Sequence, residues 1–267
     1  MTIVRLLAAA VGLLVIVPAL IWGGELAVEL IVPIAGLICL GEYAAMAFPE
    51  DRRVAFSWLA VGSALVYGTA LYVGLHWVAM ALALVVMATM AFVALRPGES
   101  LQGAADRMSR YLLGIGWIGG LLVYLPLLRR LDQGILWVFL LLAIPWAGDT
   151  GAYFAGRAFG RHPMSPRVSP KKTWEGFAGG ITLSVVGVFI VRAASPSSFG
   201  VLDGLFLGII LGAVAVVGDL SESLLKRSYD VKDSGWIMPG HGGLLDRVDS
   251  LLFVGPLLYL YLTVVRG

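Results

Sequence analysis

Nine stretches of this chain are long and apolar enough to cross a lipid bilayer, and that leaves few folds open. A spanning helix needs about 20 mostly apolar residues. Such runs fall at roughly 3–22, 26–48, 54–73, 76–95, 110–128, 134–156, 175–194, 201–218 and 249–265 of the 267 residues. Composition agrees. Charged residues make up 13% of the chain, against about 25% in soluble domains, and the mean hydropathy is +0.90. A soluble globule cannot hide so much apolar surface behind so few charges, and a disordered chain needs low hydrophobicity. The period-two alternation of a membrane β-barrel is absent, so backbone groups in lipid must be satisfied within helices. The expected fold is all-α, a polytopic transmembrane helical bundle of about nine spanning helices. The first run carries Arg5 ahead of its apolar residues and Pro18-Ala19 near its end, features shared with signal peptides. Its length, and the lack of a soluble domain behind it, make it a first transmembrane helix.

Basic residues orient the bundle. With nine spans, 15 of the 19 Lys and Arg residues fall on the face that holds the N-terminus and the three long loops. Arg129, Arg130, Arg192 and Arg266 fall on the other. The positive-inside rule places the richer face in the cytoplasm. No internal repeat of the transporter kind is visible. The single cysteine, Cys39, excludes an intramolecular disulfide and a thiolate metal cluster. Trp22, Trp117 and Trp137 suit anchoring at the membrane interfaces. Glu25, Glu29 and Glu42 lie at membrane depth with no cluster of partners around them in the sequence.

Two blocks break the apolar pattern. Residues 149–175 and 218–249 together hold 17 of the 36 charges. In the second block Asp219 closes an apolar run, and Asp246 and Asp249, three apart, share one face of the helix that re-enters the membrane. Carboxylates at this depth are costly and usually functional. Their mutual repulsion is relieved by a divalent cation, and hard oxygen donors without a His or Cys cluster suit Mg²⁺. The simpler alternative is that Asp246 and Asp249 pair with Arg247 or cap the helix. Lys226, Arg227 and Lys232 follow Asp219, and Pro239-Gly240-His241-Gly242-Gly243 precedes the last span. Cations, a glycine turn at a helix start and acidic ligands together describe a polyphosphate site, although the spacing is not that of a P-loop. In the first block Asp149 lies near a helix end, with Arg157 as its alternative partner. Ser169-Pro170-Lys171-Lys172-Thr173 leads into Glu175. Ser169 or Thr173 suits a helix cap with a carboxylate in the first turn. Lys171 and Lys172 suit either an anionic substrate or membrane lipid.

These motifs resemble the phosphatidate cytidylyltransferase (CDP-diacylglycerol synthase) family. The resemblance rests on Ser223-Leu224-Leu225-Lys226-Arg227, Lys232-Asp233-Ser234 and Pro239 through Asp249, and on Asp149-Thr150-Gly151, Gly156-Arg157, Gly160 and Ser169 through Gly176. It covers about residues 145–260. Residues 1–140 match only as hydrophobic spans, a division into an N-terminal packing or dimerisation half and a catalytic half from 141 to 267. The resemblance implies transfer of the cytidylyl group of CTP to phosphatidic acid, with Mg²⁺ as cofactor, K⁺ as a second cation and a homodimer in the bilayer. It implies no nucleic-acid partner. It makes Asp219 and Asp246 metal ligands and gives Asp219, Asp246, Asp249 and Lys226 catalytic roles. Substrate contacts fall to Asp149, Ser169, Lys171, Lys172, Thr173, Glu175, Ser223, Arg227, Lys232, Asp233, His241, Gly242, Gly243 and Arg247. The competing classes are a related CTP-using membrane enzyme, such as a polyprenol kinase or an archaeal-type lipid cytidylyltransferase, a transporter or channel, and a non-catalytic lipid-binding scaffold. The charges gather at one membrane face rather than at mid-depth, which disfavours transport.

Overall fold

A computed structural model of the chain describes residues 18, 20–96, 101–237 and 242–266. Among these, eight helices are long and apolar enough to cross a membrane: α1 Gly24–Ala47, α2 Arg52–Val73, α3 Leu75–Leu95, α4 Ala104–Arg130, α5 Gly134–Phe159, α6 Trp174–Ala194, α7 Val201–Ser228 and α8 Leu245–Val265. They match the second to ninth expected spans one for one. The first expected span, 3–22, lies outside the described residues except for 18 and 20–22.

The helices overrun the apolar windows where charges begin. The seventh runs on to Ser228 instead of stopping at 218, and the eighth starts at Leu245 rather than 249. Hydropathy marks where lipid ends, but the backbone ladder continues, supported on α7 by the i,i+4 pair Glu222–Lys226. Among the described residues a two-stranded ribbon is also present. Strand β1 (Pro163–Ser165) pairs antiparallel with β2 (Ser169–Thr173) in the loop between α5 and α6.

Among the described residues three apolar clusters form the core, the smallest around Ala70, Leu71, Val123 and Leu127. Of the two larger ones, one includes Tyr43, Leu59, Ile115 and Leu252, joining α1, α2, α4 and α8. The other includes Leu140, Ile144, Leu207 and Val254, joining α5, α7 and α8. The α5–α6 contact is made by glycines, as in close helix pairs in lipid. A Cβ added at Gly151 would collide with the Gly179 carbonyl. Trp117 and Trp137 are buried in these cores, with Trp137 Nε1 donating to the Asp132 carbonyl at 2.7 Å, so only Trp22 of the three expected anchors is exposed.

Arg110 ties together the end of the bundle that carries both charged blocks. It donates to the Ala47 carbonyl (2.8 Å), pairs with Asp106 (2.5 Å) and lies over the Tyr229 ring. Its own carbonyl accepts from the Tyr43 hydroxyl at 2.7 Å. At the opposite end Arg130 pairs with Glu29 (2.6 Å) and donates to the Leu71 carbonyl (2.6 Å).

Candidate active site

The last turns of α7 carry Asp219, Glu222, Ser223 and Lys226 at i, i+3, i+4 and i+7, a spacing that puts all four on one helix face. That face meets the start of α8 and the β-ribbon. Lys172, on β2, reaches across to Asp219 at 2.6 Å, and Ser223 Oγ donates to the other Asp219 oxygen at 3.3 Å. This pair joins the two charged blocks into one site. Asp149 on α5 lies within electrostatic reach of Asp219, Lys172 and Arg247, and Asp249 within reach of Asp219, Asp149 and Lys226.

Close helix packing brings these groups together. A Cβ at Gly218 would stand 2.9 Å from the Asp249 carbonyl oxygen and 3.1 Å from Ser250 Cα. Ser250 Oγ fastens the crossing by donating to the Ala215 carbonyl at 3.0 Å. Gly218→Val is therefore expected to force α7 from α8, to cost about 1–3 kcal/mol of stability and to lower the melting temperature. A wild-type melting curve would contradict so close an approach.

Lys226 forms the second centre. It is 9% exposed and bridges Glu222, at 2.6 Å, and Asp246. Asp246 Oδ2 also accepts from the Ser234 amide (3.0 Å), the Ser234 hydroxyl (2.9 Å) and the Gly243 amide (2.7 Å). Asp246 thus pairs with a cation, Lys226, and anchors the turn that leads into its helix. Gly242 turns the chain into α8 with φ of +80°, a conformation that favours glycine.

Most of the other expected residues make contacts away from these centres. Thr173 caps α6 by accepting from Gly176 N at 3.1 Å. Ser169 opens β2 and pairs with Ser165 in the ribbon register. Glu175 clamps the loop, accepting from the Arg161 and His162 amides (3.1 and 3.3 Å) and lying 2.5 Å from His162 Nδ1. Arg227 turns back to the Val231 carbonyl (3.0 Å), and Arg157 to the Tyr153 hydroxyl rather than to Asp149. Lys171, Lys232, Asp233 and Arg247 are exposed. His241 lies outside the described residues.

Two carboxylates are additions to the set expected from the sequence. Glu222 is 1% exposed, and its i,i+4 spacing to Lys226 is a readable signal. Glu42, on α1, accepts hydrogen bonds from residues 192 to 203 positions away, and no local pattern announces it. Among the described residues, no group of three or more His, Cys, Asp or Glu is arranged to hold a metal ion by itself.

These features define a polytopic integral membrane protein with carboxylates and lysines gathered at one end of its helical bundle. Residues 3–265 match the cytidylyltransferase family, and the chain belongs to it. It is 43% identical over 158 residues to the phosphatidate cytidylyltransferase of Bacillus subtilis (strain 168), covering 59% of each chain. It is 41% identical over 164 residues to that of Brucella suis biovar 1, covering 58% of this chain and 60% of the relative. A match to the Haemophilus influenzae phosphatidate cytidylyltransferase is 44% identical over 126 residues, covering 46% of this chain and 43% of the relative. The first two matches span about three fifths of the length of those relatives.

Proposed function

We propose that this chain transfers the cytidylyl group of CTP to phosphatidic acid, giving CDP-diacylglycerol and pyrophosphate. The observation that carries this reading is the Lys172–Asp219 pair, which unites the two blocks in a single site. The names of the relatives supply the substrates. In the reaction an oxygen of the lipid phosphate bonds to the α-phosphorus of CTP. The bond from that phosphorus to the oxygen bridging to the β-phosphorus breaks, and pyrophosphate leaves with the electron pair. The lipid phosphate is already anionic near neutral pH, so it needs little help from a base. It needs in-line placement and relief from the charge of the triphosphate.

The donor chemistry fits Mg²⁺. The site offers carboxylate and hydroxyl oxygens from Asp219, Ser223, Asp246 and Asp249, with no thiolate among them. Mg²⁺ is commonly held by one or two carboxylates together with substrate phosphates, which accords with the lack of a three-ligand protein cluster. When bound, it neutralises charge on the nucleotide phosphates. In this reading Asp219 and Asp246 are its ligands, with Asp249 a further ligand or a support behind them, and K⁺ accompanies it as a second cation. Lys226, Arg227 and Lys232 neutralise the nucleotide and the leaving pyrophosphate. Lys171 and Lys172 take the lipid phosphate or the pyrophosphate. We place the site at the cytoplasmic face of the cell membrane, on the positive-inside argument and the cytosolic origin of CTP, and the enzyme in a homodimer. Purified protein given labelled CTP, phosphatidic acid and Mg²⁺ is expected to yield a lipid-soluble cytidine product and pyrophosphate. Lipid phosphate plus CDP as products would instead make it a kinase.

A further inference from the structure

Glu42 lies on α1, outside both charged blocks, and is 7% exposed. Its Oε1 accepts from the Leu244 amide at 3.0 Å, and its Oε2 from the Leu245 amide at 2.8 Å. The Ser234 hydroxyl stands 3.4 Å from Oε2 and 2.9 Å from Asp246 Oδ2. Two glycines wall the carboxylate. A Cβ at Gly235 would lie 2.5 Å from Oε1, and one at Gly243 2.6 Å from Oε2.

A helix start leaves backbone N–H groups without partners, and a nearby Ser, Thr, Asp or Asn usually supplies the cap. Here a different transmembrane helix supplies it, with both oxygens used. The grip falls on the residues directly before Asp246 and, through Ser234, on a hydroxyl that Asp246 itself accepts from. We infer that Glu42 is a positioning residue of the active site: it fixes where Asp246 stands without touching substrate. The inference rests on the function proposed above, and it gives the N-terminal half a part in the chemistry.

Glu42→Gln keeps the size of the side chain but leaves one acceptor oxygen, so its amide N–H₂ faces one of the two backbone donors. Gly235→Ala keeps the charge and displaces the carboxylate. Both are made in the full chain. Either is expected to lower kcat by roughly 10–100-fold, the usual cost of losing a group that orients a metal ligand. The Mg²⁺ concentration giving half-maximal rate should rise, with KM for phosphatidic acid nearly unchanged. Hydrogen exchange of the Leu244 and Leu245 amides, measured without substrate, should quicken in step. Wild-type kcat and Mg²⁺ dependence in a folded variant overturns the inference. So does a loss that merely tracks the folded fraction, or failure of both variants to fold, each of which assigns Glu42 to stability alone. A wild-type protein that makes no cytidine lipid defeats the proposed reaction instead; the exchange rates and the Mg²⁺-dependent thermal shift with CTP then judge Glu42 separately.

Discussion

Asp246→Asn is expected to cut cytidylyl transfer by about a thousandfold or more, the scale of losing a central electrostatic group, in a protein that still folds and inserts. The fold survives because the buried ammonium keeps a carboxylate partner. Lys226 keeps Glu222 at 2.6 Å, and the start of α8 keeps its grip from Glu42. The new amide can turn its oxygen to the Ser234 and Gly243 amides that Asp246 Oδ2 serves. Its N–H₂ then meets Lys226, donor against donor, at a cost of about 1–3 kcal/mol. If Asp246 holds the metal as proposed, turnover has no such reserve, because a neutral amide is a poor ligand for a hard cation and supplies no negative charge. The check is product formation from labelled CTP alongside a size-exclusion profile. Near-normal CDP-diacylglycerol formation by the variant removes Asp246 from the metal-binding role.

The sequence carried the membrane architecture almost completely, because apolar length is a local property. All eight described spans lie where the apolar runs put them. It also put the two charged blocks at one membrane face, since charges are costly in lipid; that they touch is seen only in the fold, in the Lys172–Asp219 pair. The partners were harder to read. Asp246 meets Lys226 and Asp219 meets Lys172, pairings set by the α7–α8 crossing and the reach of the β-ribbon. Arg157 and Arg227 have the right charge and the right neighbourhood, yet their side chains turn to Tyr153 and to the Val231 carbonyl. Glu42 was the least legible. A glutamate in an apolar run has no local meaning until the chain folds α1 against the start of α8.

Lys226→Met is expected to be strongly destabilising. Glu222 is 1% exposed, and its Oε1 already has no hydrogen-bond partner. Removing Lys226 leaves Glu222 and Asp246 facing one another without the cation between them. Breaking a buried pair from one side costs about 3–5 kcal/mol, so the melting temperature should fall well below that of Asp246→Asn. Adding Glu222→Gln removes the stranded charge, and the double variant should recover most of the lost stability. It should recover none of the activity if Lys226 neutralises the phosphates. Thermal unfolding and product formation, measured on both variants, separate the two roles. A double variant that regains turnover would confine Lys226 to holding the fold. The two partners of Lys226 explain why both roles can fall on one residue. In the proposed reaction Asp246 would serve as a metal ligand and would share its charge between the metal and the Lys226 ammonium. Glu222, buried and four residues back on the same helix, keeps its own hold on the ammonium. The lysine is therefore retained at the site, charged and in place, at the moment the phosphates need it.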